Sequence, residues 1–369
     1  NDGWNVYELP GNPLNSNRWT DFPAISLAGE DLFITGNLII PDVTWQVGFD
    51  GSVIWQIEKA TGYNSDVDLN TKLYSDIKFE KDGRFIRNLH AVRGADGVAD
   101  KQYLLSNRNF DVVNDTIFVL DIEGNLSDGS PELNINYGIS ALDYGVPPNA
   151  RQEDTDVSDP TVGLQTNDAR VLAAIKHGDE IQFVSNSMNP ATGFSAIYHG
   201  VITNLEDPTI TANIIGDAVK DFGYPNIAWT GNEDCDKEVI IAFNHTSPTD
   251  FPGISCIYVN NDREYSDVVI LKEGENYIDR GDGGYERWGD YFGLQTMEGK
   301  PYEIWTAGFY GTEGKRSSTW FNNLIIPDST LMKIEFVENE WNENFKCNQN
   351  FTLSGTGGYE PYTFEWSDG

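Results

Sequence analysis

Short apolar runs, separated by turns rich in Gly, Asn and Asp, recur along most of this sequence. Five segments share one order: a short strand, a turn and a second, more apolar strand, usually followed by one or two further strands. The segments begin near residues 21, 89, 168, 224 and 290, so successive starts lie 68, 79, 56 and 66 residues apart. A repeat of this length suits a four-stranded sheet with long loops, and no helical periodicity of comparable strength competes with it.

The second strand of each segment carries the strongest apolar signal. We expect these strands at residues 32–37, 102–107, 180–186, 239–244 and 303–308. Sheets that repeat around a central axis protect their edges, which a chain rich in β-branched and aromatic strands needs to do. The sequence therefore predicts an all-β propeller over residues 1–327, with five blades as the first choice and six or seven left open.

The two ends of the predicted ring carry separate expectations. Residues 4–9 form a predicted strand that completes the last blade beside residues 318–326. Residues 328–369 are predicted to be a linker followed by an incomplete, β-sandwich-like repeat, in which two short strands flank a Gly/Pro turn. About thirty residues are too few to stabilise a core alone, so this tail needs support from the propeller or belongs to a larger module.

The charge balance narrows the range of partners. The chain has 369 residues with 24 Lys plus Arg and 58 Asp plus Glu, a net charge of −34. Such a charge repels phosphate backbones and anionic lipid surfaces, so we expect no nucleic-acid partner. No apolar run is long enough for a membrane helix, so we expect no direct membrane insertion. Neutral sugars, cationic partners and Ca²⁺ remain compatible with this balance.

The cysteines indicate the cellular compartment. Three cysteines are too few for a disulfide framework, and their spacing matches no zinc motif. Cys235 and Cys256 form either one local bridge or two buried thiols. Together with the acidic, Asn/Asp/Gly-rich loops and a start at Asn1 without a leader, this pattern predicts an exported bacterial protein, extracellular or at the cell surface.

Several polar residues stand at equivalent positions of the repeat. In a propeller, the loop before each innermost strand opens onto one end of the central axis, so these residues are expected to converge. The candidate ligand-binding residues are Arg18, Asp21, His90, Asp168, Tyr224, Arg287 and Asp290. A carboxylate there also caps turns. The pattern Arg-Trp-x-Asp occurs at both 18–21 and 287–290, which favours a structural role as much as a chemical one.

One Gly-rich acidic loop is a candidate calcium site. Ca²⁺ takes several carboxylate and carbonyl oxygens, and residues 279–286 place Asp279, Asp282 and Glu286 close together along the chain. The loop does not match an EF-hand. Apart from Ca²⁺ no cofactor is predicted, because the sequence has neither a dinucleotide-binding glycine motif nor a P-loop.

An enzyme is the main alternative to a binding module. Two carboxylates that flank a sugar are sufficient for glycoside hydrolysis. For a glycoside hydrolase or polysaccharide lyase, the candidate catalytic residues are Asp21, Asp290, Arg287 and His90. No zinc-protease or serine-hydrolase motif points to other chemistry.

Three motifs resemble a known group of proteins. Asp-Phe-Pro at residues 21–23, Tyr-Pro-Asn-Ile-Ala at 224–228 and Arg-Trp-Gly-Asp-Tyr at 287–291 resemble exported bacterial propellers with a sialidase-like fold. This resemblance covers residues 17–325 and implies a fold rather than an activity. True sialidases carry repeated Ser-x-Asp-x-Gly-x-Thr-Trp boxes, of which residues 317–320 keep only the last two positions.

The tail resembles a second family. Residues 357–369 are similar to the SprB-type repeat of gliding-motility surface adhesins, which leave the cell by type IX secretion. This resemblance implies a large, multi-module surface protein that contacts the secretion machinery. The preferred function is therefore a non-catalytic propeller module that binds a surface glycan or protein ligand. A purely structural spacer or secretion cargo is the third alternative, and it predicts an axis plugged by apolar side chains.

Overall fold

The computed structural model describes residues 4–95, 98–99, 101–153, 163–231, 237–281, 285–300, 302–325, 333–337 and 352–356. These residues form an all-β protein, as predicted. The helical elements among them are two short helices and one 3₁₀ turn, namely α1 (Trp45–Gly48), α2 (Lys59–Tyr63) and Leu126–Asp128. None of the described helices has the length and apolar character needed to cross a membrane.

The first sheet shows how each unit is built. Its strands are β1 (Trp19–Asp21), β2 (Ile25–Ala28), β3 (Asp31–Ile39), β4 (Phe49–Glu58) and β5 (Thr71–Tyr74). Both β1 and β2 pair with β3 in antiparallel register, β1 at the end of β3 and β2 at its start. They therefore form one innermost edge that is interrupted at residues 22–24.

The second and third sheets are two antiparallel meanders joined side by side. The second contains β6 (His90–Ala91), β8 (Gln102–Asn107), β9 (Asn114–Glu123) and β10 (Glu132–Tyr144), with β7 (Arg93–Gly94) following β6. The third contains β12 (Val171–His177), β13 (Glu180–Met188), β14 (Ser195–Thr203) and β15 (Thr209–Ile215), preceded by β11 (Gly163–Gln165). Parallel contacts of β7 with β12 and of β10 with β15 join them. Ala173 and Ala174 lie in β12, the inner strand.

Two further sheets complete the series. The fourth contains β16 (Asp221–Trp229), β17 (Val239–Thr246), β18 (Gly253–Val259) and β19 (Val269–Lys272). After β20 (Tyr285–Arg287), which pairs in parallel with β11, the fifth contains β21 (Gly293–Thr296), β22 (Glu303–Thr312) and β23 (Arg316–Ile325). The five predicted apolar second strands are thus confirmed as β3, β8, β13, β17 and β22.

Hydrophobic cores lie between successive sheets. β13 and β17 are buried along nearly their whole length because both of their faces are covered, and β17 accordingly has a continuous apolar run at residues 239–243. Core side chains between neighbouring sheets include Phe33 and Phe118, Val119 and Phe183, Val184 and Phe243, and Ile254 and Phe292. The sheets therefore stack face to face in chain order.

The five sheets surround one axis. A cavity of about 320 Å³ is bordered by residues at the innermost edge of every sheet. These are residues 23–25 of the first, His90 and Arg93 of the second, 172–173 of the third, 224–226 of the fourth and 290–292 of the fifth. This convergence is the propeller arrangement, so the predicted propeller is confirmed. The described residues hold five such sheets, and the blade count of the ring stays a prediction.

The fifth and first sheets meet at a narrow contact. The rings of Phe22 and Tyr291 stack with centroids 5.1 Å apart, and the Tyr291 hydroxyl donates to the Pro23 carbonyl at 3.3 Å. Over the described ranges, no buried hydrophobic cluster joins these two sheets. A cavity of about 740 Å³ bordered by Leu32 and Met297 lies between them instead.

The predicted pairing of residues 4–9 with residues 318–326 is wrong. The Tyr7 hydroxyl donates to the Asp66 carbonyl at 3.1 Å, and Leu9 packs against the hydrophobic cluster of the first sheet. Residues 4–9 contain no strand. These side chains contact the first sheet and the turn after α2, so residues 4–9 cover the first sheet. β23 is therefore the outermost described strand of the fifth sheet.

The tail and the cysteines are described only in part. β24 (Lys333–Val337) pairs with β25 (Thr352–Thr356) in antiparallel register. Residues 357–369, the proposed boundary at 327, Cys235 and Cys347 lie outside the described residues. Cys256 is a free thiol in the core between the fourth and fifth sheets, and burial raises its pKa to about 11.

A buried histidine makes stability depend on pH. His199 in β14 lies with Nδ1 2.8 Å from the Tyr265 hydroxyl and Nε2 3.1 Å from Gln182 Oε1. Burial, followed by the nearby Arg263 charge, lowers the pKa of His199 from 6.5 to about 3. An unfolded chain takes up this proton near its ordinary pKa, so the stability that neutral His199 provides is present above about pH 6.5 and is lost as the pH falls towards 3.

We therefore expect the free energy of unfolding to fall by up to about 1.4 kcal/mol per pH unit on this account between pH 6 and 4. The variant His199→Gln should show a shallower fall, because it has no proton to take up on unfolding. Urea titrations at pH 7, 6, 5 and 4 measure both slopes. Identical slopes for the two proteins would contradict the expectation.

Candidate functional site

The candidate site is the cavity of about 320 Å³ at the axis, which we call the axial mouth. Of the predicted residues, His90, Tyr224 and Asp290 border it directly. Its other polar lining residues are Arg93 and Asn226. Three of the seven predicted positions, within or just before the inner strands, thus meet at one cavity, and the other four do not border it.

A partly buried arginine crosses the axis at the mouth. Arg93 follows the inner strand of the second sheet, and its Nη1 donates to the Leu294 carbonyl at 3.2 Å and to Gln295 Oε1 at 3.3 Å. Its Nη2 donates to Asn226 Oδ1 at 3.0 Å and to the Ile227 carbonyl at 3.1 Å. Arg93 thus connects the second sheet to the fourth and fifth. A guanidinium, not the apolar plug of the spacer hypothesis, crosses the axis here.

His90 lies in the wall beside this arginine. Burial, followed by the positive charge of Arg93, lowers the pKa of His90 from 6.5 to about 3. The imidazole is therefore uncharged at neutral pH. In this state the ring can donate a hydrogen bond to a ligand or accept one from it, but it is poorly suited to donating a proton as a general acid near pH 7.

An aromatic pair stands at one side of the mouth: Tyr291 borders the cavity, and Phe22 stacks on Tyr291. Phe22 sits where the innermost edge of the first sheet is interrupted, with φ of 53°, a conformation uncommon for residues other than glycine. Its ring stacks on Tyr291, and the Arg170 guanidinium carbon lies 4.2 Å from the Phe22 ring centroid. Phe22 is thus held by a cation–π contact as well as by stacking.

Asp168 supports this wall instead of facing a ligand. It is fully buried, and it accepts hydrogen bonds from Arg170 Nε at 2.9 Å and Nη2 at 2.7 Å. Burial alone would lower the pKa of Arg170, but the Asp168 carboxylate outweighs burial and raises it. The pair therefore fixes a charged guanidinium against the aromatic ring of Phe22.

Of the remaining acidic residues, Asp290 borders the mouth, whereas Asp21, at the end of β1, does not. Arg287 Nη2 donates a short hydrogen bond to the Asp290 carboxylate, and the Arg287 side chain is largely exposed. Partial burial, followed by the carboxylates of Asp290 and Asp21, raises the pKa of Tyr291 to about 12. Both carboxylates thus act on the same tyrosine, which lies in the wall of the axial mouth.

Tyr224 is the lining residue of the fourth sheet. Its φ is 53°, and its backbone N–H donates to Asn186 Oδ1 at 2.8 Å. The buried hydroxyl donates to the Gln165 carbonyl at 2.8 Å. Burial, and then the Asp290 carboxylate, raises the pKa of Tyr224. Tyr224 is therefore a neutral, fixed part of the wall at any ordinary pH.

Arg18 is placed elsewhere. Its Nε donates to Asp50 Oδ2 at 2.6 Å, and Asp50 lies in β4, two strands out from the innermost edge. Arg18 does not border the axial mouth. The repeated Arg-Trp-x-Asp pattern thus serves different contacts in the first and fifth sheets.

The candidate calcium loop is described only in part. Asp279 lies 3.4 Å from Lys315 Nζ, and Glu286 accepts hydrogen bonds from the backbone N–H and Nε of Arg280. Asp282 lies outside the described residues. Among the residues that are described, no group of three or more His, Cys, Asp or Glu side chains is placed to hold a metal ion. Calcium binding stays a prediction.

Three residues of this region escaped sequence reasoning: Phe22, Arg93 and Tyr291. All of them stand within or beside the quoted repeat segments, so the repeat itself was the available signal. The repeat does not predict where each side chain points. Arg93, for example, contacts strands about 130 and 200 residues away in the sequence.

The fold and the cavity together define an all-β propeller with an open axial mouth. No family model and no curated protein matches the chain. Similar solved structures include an α-L-arabinanase of Penicillium chrysogenum complexed with arabinobiose, with 10% identity, a TM-score of 0.41 and coverage of 83% of this chain and 93% of that chain. A Trypanosoma rangeli sialidase in complex with difluorosialic acid has 12% identity, a TM-score of 0.42 and coverage of 83% and 48%.

A glycoside hydrolase is similar at 10% identity, with a TM-score of 0.31 and coverage of 84% of this chain and 88% of that chain. Likenesses at this level assign no activity to this chain. The propeller assignment rests on its own strand order and on the cavity that all five sheets share.

Proposed function

We propose that the axial mouth binds a glycan. The observation that carries the proposal is the meeting of Tyr291, whose ring stacks on Phe22, with Asp290 and Asn226 around one open cavity of about 320 Å³. A sugar ring has apolar C–H faces, which aromatic rings cover, and hydroxyls, which carboxylate and amide groups bind. A cavity of this size suits about one sugar ring, the end or a branch of a longer chain.

The proposed context is a large, exported bacterial surface protein. In it the propeller is a non-catalytic module that presents the axial mouth to a surface glycan, and the chain reaches the surface through secretion machinery. The support is the adhesin-type resemblance of residues 357–369 together with the acidic composition. Ca²⁺ bound through Asp279, Asp282 and Glu286 belongs to the same proposal, and comparison of glycan binding with and without a chelator tests it.

A second candidate function is favoured by one observation. The carboxylates of Asp290, which borders the cavity, and of Asp21 both lie close enough to Tyr291 to raise its pKa. Two carboxylates on either side of a sugar are the minimum for a glycoside hydrolase, and an acidic group with a neighbouring cation also suits a lyase. In that case Asp21 and Asp290 carry the proton transfers, and Arg287 orients Asp290.

The variants Tyr291→Ala and Asp290→Asn should each weaken glycan binding by about tenfold or more, because each removes a contact worth about 1.4 kcal/mol. Glycan-array screening first identifies a ligand, and calorimetry then measures the affinities. Tyr63→Ala is the matched control, since Tyr63 is an exposed tyrosine of α2 that lies outside the mouth. Unchanged affinity in both mouth variants would refute the proposed site.

The same proteins separate binding from catalysis. A binding module should release neither reducing sugar nor unsaturated uronide from any glycan that it binds. Turnover that Asp290→Asn abolishes while the glycan still binds would establish the enzyme instead.

A further inference from the structure

The hydrogen-bond donors of the axial mouth indicate which groups a ligand has to bring. Five side chains that border the mouth carry N–H or O–H groups, namely His90, Arg93, Tyr224, Asn226 and Tyr291. A donor that already points at a protein oxygen has little left to offer a ligand. The acceptors of these five side chains therefore bear on the class of sugar that the mouth can bind.

The guanidinium of Arg93 is directed at the protein. Its Nη1 donates to the Leu294 carbonyl at 3.2 Å and to Gln295 Oε1 at 3.3 Å. Its Nη2 donates to Asn226 Oδ1 at 3.0 Å and to the Ile227 carbonyl at 3.1 Å. A carboxylate or sulfate is bound best by a guanidinium that offers two parallel N–H groups. Both terminal nitrogens of Arg93 already have two acceptors each, so an acidic group would have to displace protein oxygens.

The two tyrosine hydroxyls of the mouth are also directed at the protein. Tyr224 Oη donates to the Gln165 carbonyl at 2.8 Å, and Tyr291 Oη donates to the Pro23 carbonyl at 3.3 Å. Burial, and then the Asp290 carboxylate, raises the pKa of both tyrosines. Each hydroxyl therefore keeps the proton that it donates to a backbone carbonyl.

The amide and the imidazole of the mouth add no positive charge. Asn226 Nδ2 donates to the Phe292 carbonyl. His90 is uncharged at neutral pH, because burial and then the Arg93 charge lower its pKa to about 3. The side chains that border the mouth therefore provide no cation with an open pair of donors for an acidic group.

Asp290 provides the opposite kind of group, a strong acceptor. It borders the mouth, and its side chain is 35% exposed. A carboxylate accepts about four hydrogen bonds, so Asp290 can accept from ligand hydroxyls in addition to Arg287 Nη2. Arg287 itself does not border the mouth, and its side chain lies largely in solvent. The mouth thus suits a ligand that donates hydrogen bonds.

We propose that the axial mouth selects neutral sugars and rejects acidic ones, with Asp290 as the residue that determines this specificity. The hydroxyls of a neutral sugar donate to the Asp290 carboxylate, whereas a uronate brings two further acceptors and a like charge. The net charge of −34 also opposes an anionic ligand. The proposal rests on the proposed function for the identity of the ligand as a glycan, and it adds the class of sugar.

The test compares D-glucose with D-glucuronate and D-galactose with D-galacturonate, by NMR titration at neutral pH and low salt. In at least one pair the wild-type chain should bind the neutral sugar about tenfold or more tightly than the acid. Asp290→Asn keeps the shape of the side chain but replaces its charge by an amide that also donates. This variant should lose about tenfold in affinity for the neutral sugar and none for the acid, so the preference disappears.

Asp50→Asn is the matched control. Asp50 also accepts a hydrogen bond from an arginine, Arg18, but it does not border the mouth, so the preference should stay unchanged. Titration of the wild-type chain in 0.5 M NaCl separates the local effect from the overall charge, because salt screens distant charges most strongly. Most of the preference should persist in salt. Its loss would assign the preference to the overall charge and overturn the proposal.

Equal or tighter binding of the acidic sugars by the wild-type chain would overturn the proposal. The proposed function would stand in that case, provided that Tyr291→Ala weakens the binding and so places it at the mouth. An undiminished preference in Asp290→Asn would likewise overturn the assigned role of Asp290. If the wild-type chain binds no glycan, neutral or acidic, the proposed function fails and the specificity proposal fails with it.

Discussion

Replacement of Arg93 by methionine is expected to lower the free energy of unfolding by about 3 kcal/mol or more. The guanidinium donates to four oxygens on the fourth and fifth sheets. Water does not easily replace these hydrogen bonds, because the four oxygens are only partly accessible to it. Methionine fills similar space but leaves the Leu294 and Ile227 carbonyls without this donor. Urea or guanidinium titration followed by tryptophan fluorescence measures the loss.

Arg18→Met is the control for this change. Arg18 pairs with Asp50 near the surface, where a single ion pair contributes about 1 kcal/mol or less. Equal losses of stability in the two variants would show that Arg93 does not connect the sheets in the way that the contacts indicate.

Asp168→Ala is expected to destabilise the fold by about 3–5 kcal/mol, because it leaves the buried charge of Arg170 without its partner. Both side chains are almost fully buried, at 0% and 4% exposure, so solvent cannot replace the lost carboxylate. The loss is measured by denaturant titration of the purified chain.

The double variant Asp168→Leu with Arg170→Met provides the matching control. Apolar side chains of similar size often replace a buried ion pair at little cost, so the double variant should be more stable than Asp168→Ala. A double variant that is as unstable as the single one would show that the size of these side chains, and not their charge, matters at this position.

The repeated strands of the propeller could be predicted because both of their faces are covered. β13 and β17 sit between other sheets, which favours apolar residues and makes both strands visible in the sequence: β17 has a continuous apolar run at residues 239–243, and β13 carries Ile181, Phe183 and Val184. The short inner strands are less visible. Nevertheless, the repeat drew attention to His90, Tyr224 and Asp290, and the structure brings these three residues to one cavity, the first two from within the inner strands.

Other features depend on contacts between distant residues and leave no local pattern. Residues 4–9 look like a strand by composition, but Tyr7 and Leu9 find partners on the first sheet and the pairing with the fifth sheet does not form. In the same way, Arg84 and Arg108 are unremarkable in the sequence. They come together only because the end of β8 lies beside the start of β6.

The contact between Phe22 and Tyr291 joins the two ends of the ring, and Tyr291 also lines the axial mouth. A sugar bound against Tyr291 would stabilise this contact between the first sheet and the fifth. Binding of the sugar and closure of the ring would then stabilise each other. A mechanical force that separates the first and fifth sheets would therefore also have to release the bound sugar. For a module that anchors a cell to a surface, that linkage would make the attached state the tougher one.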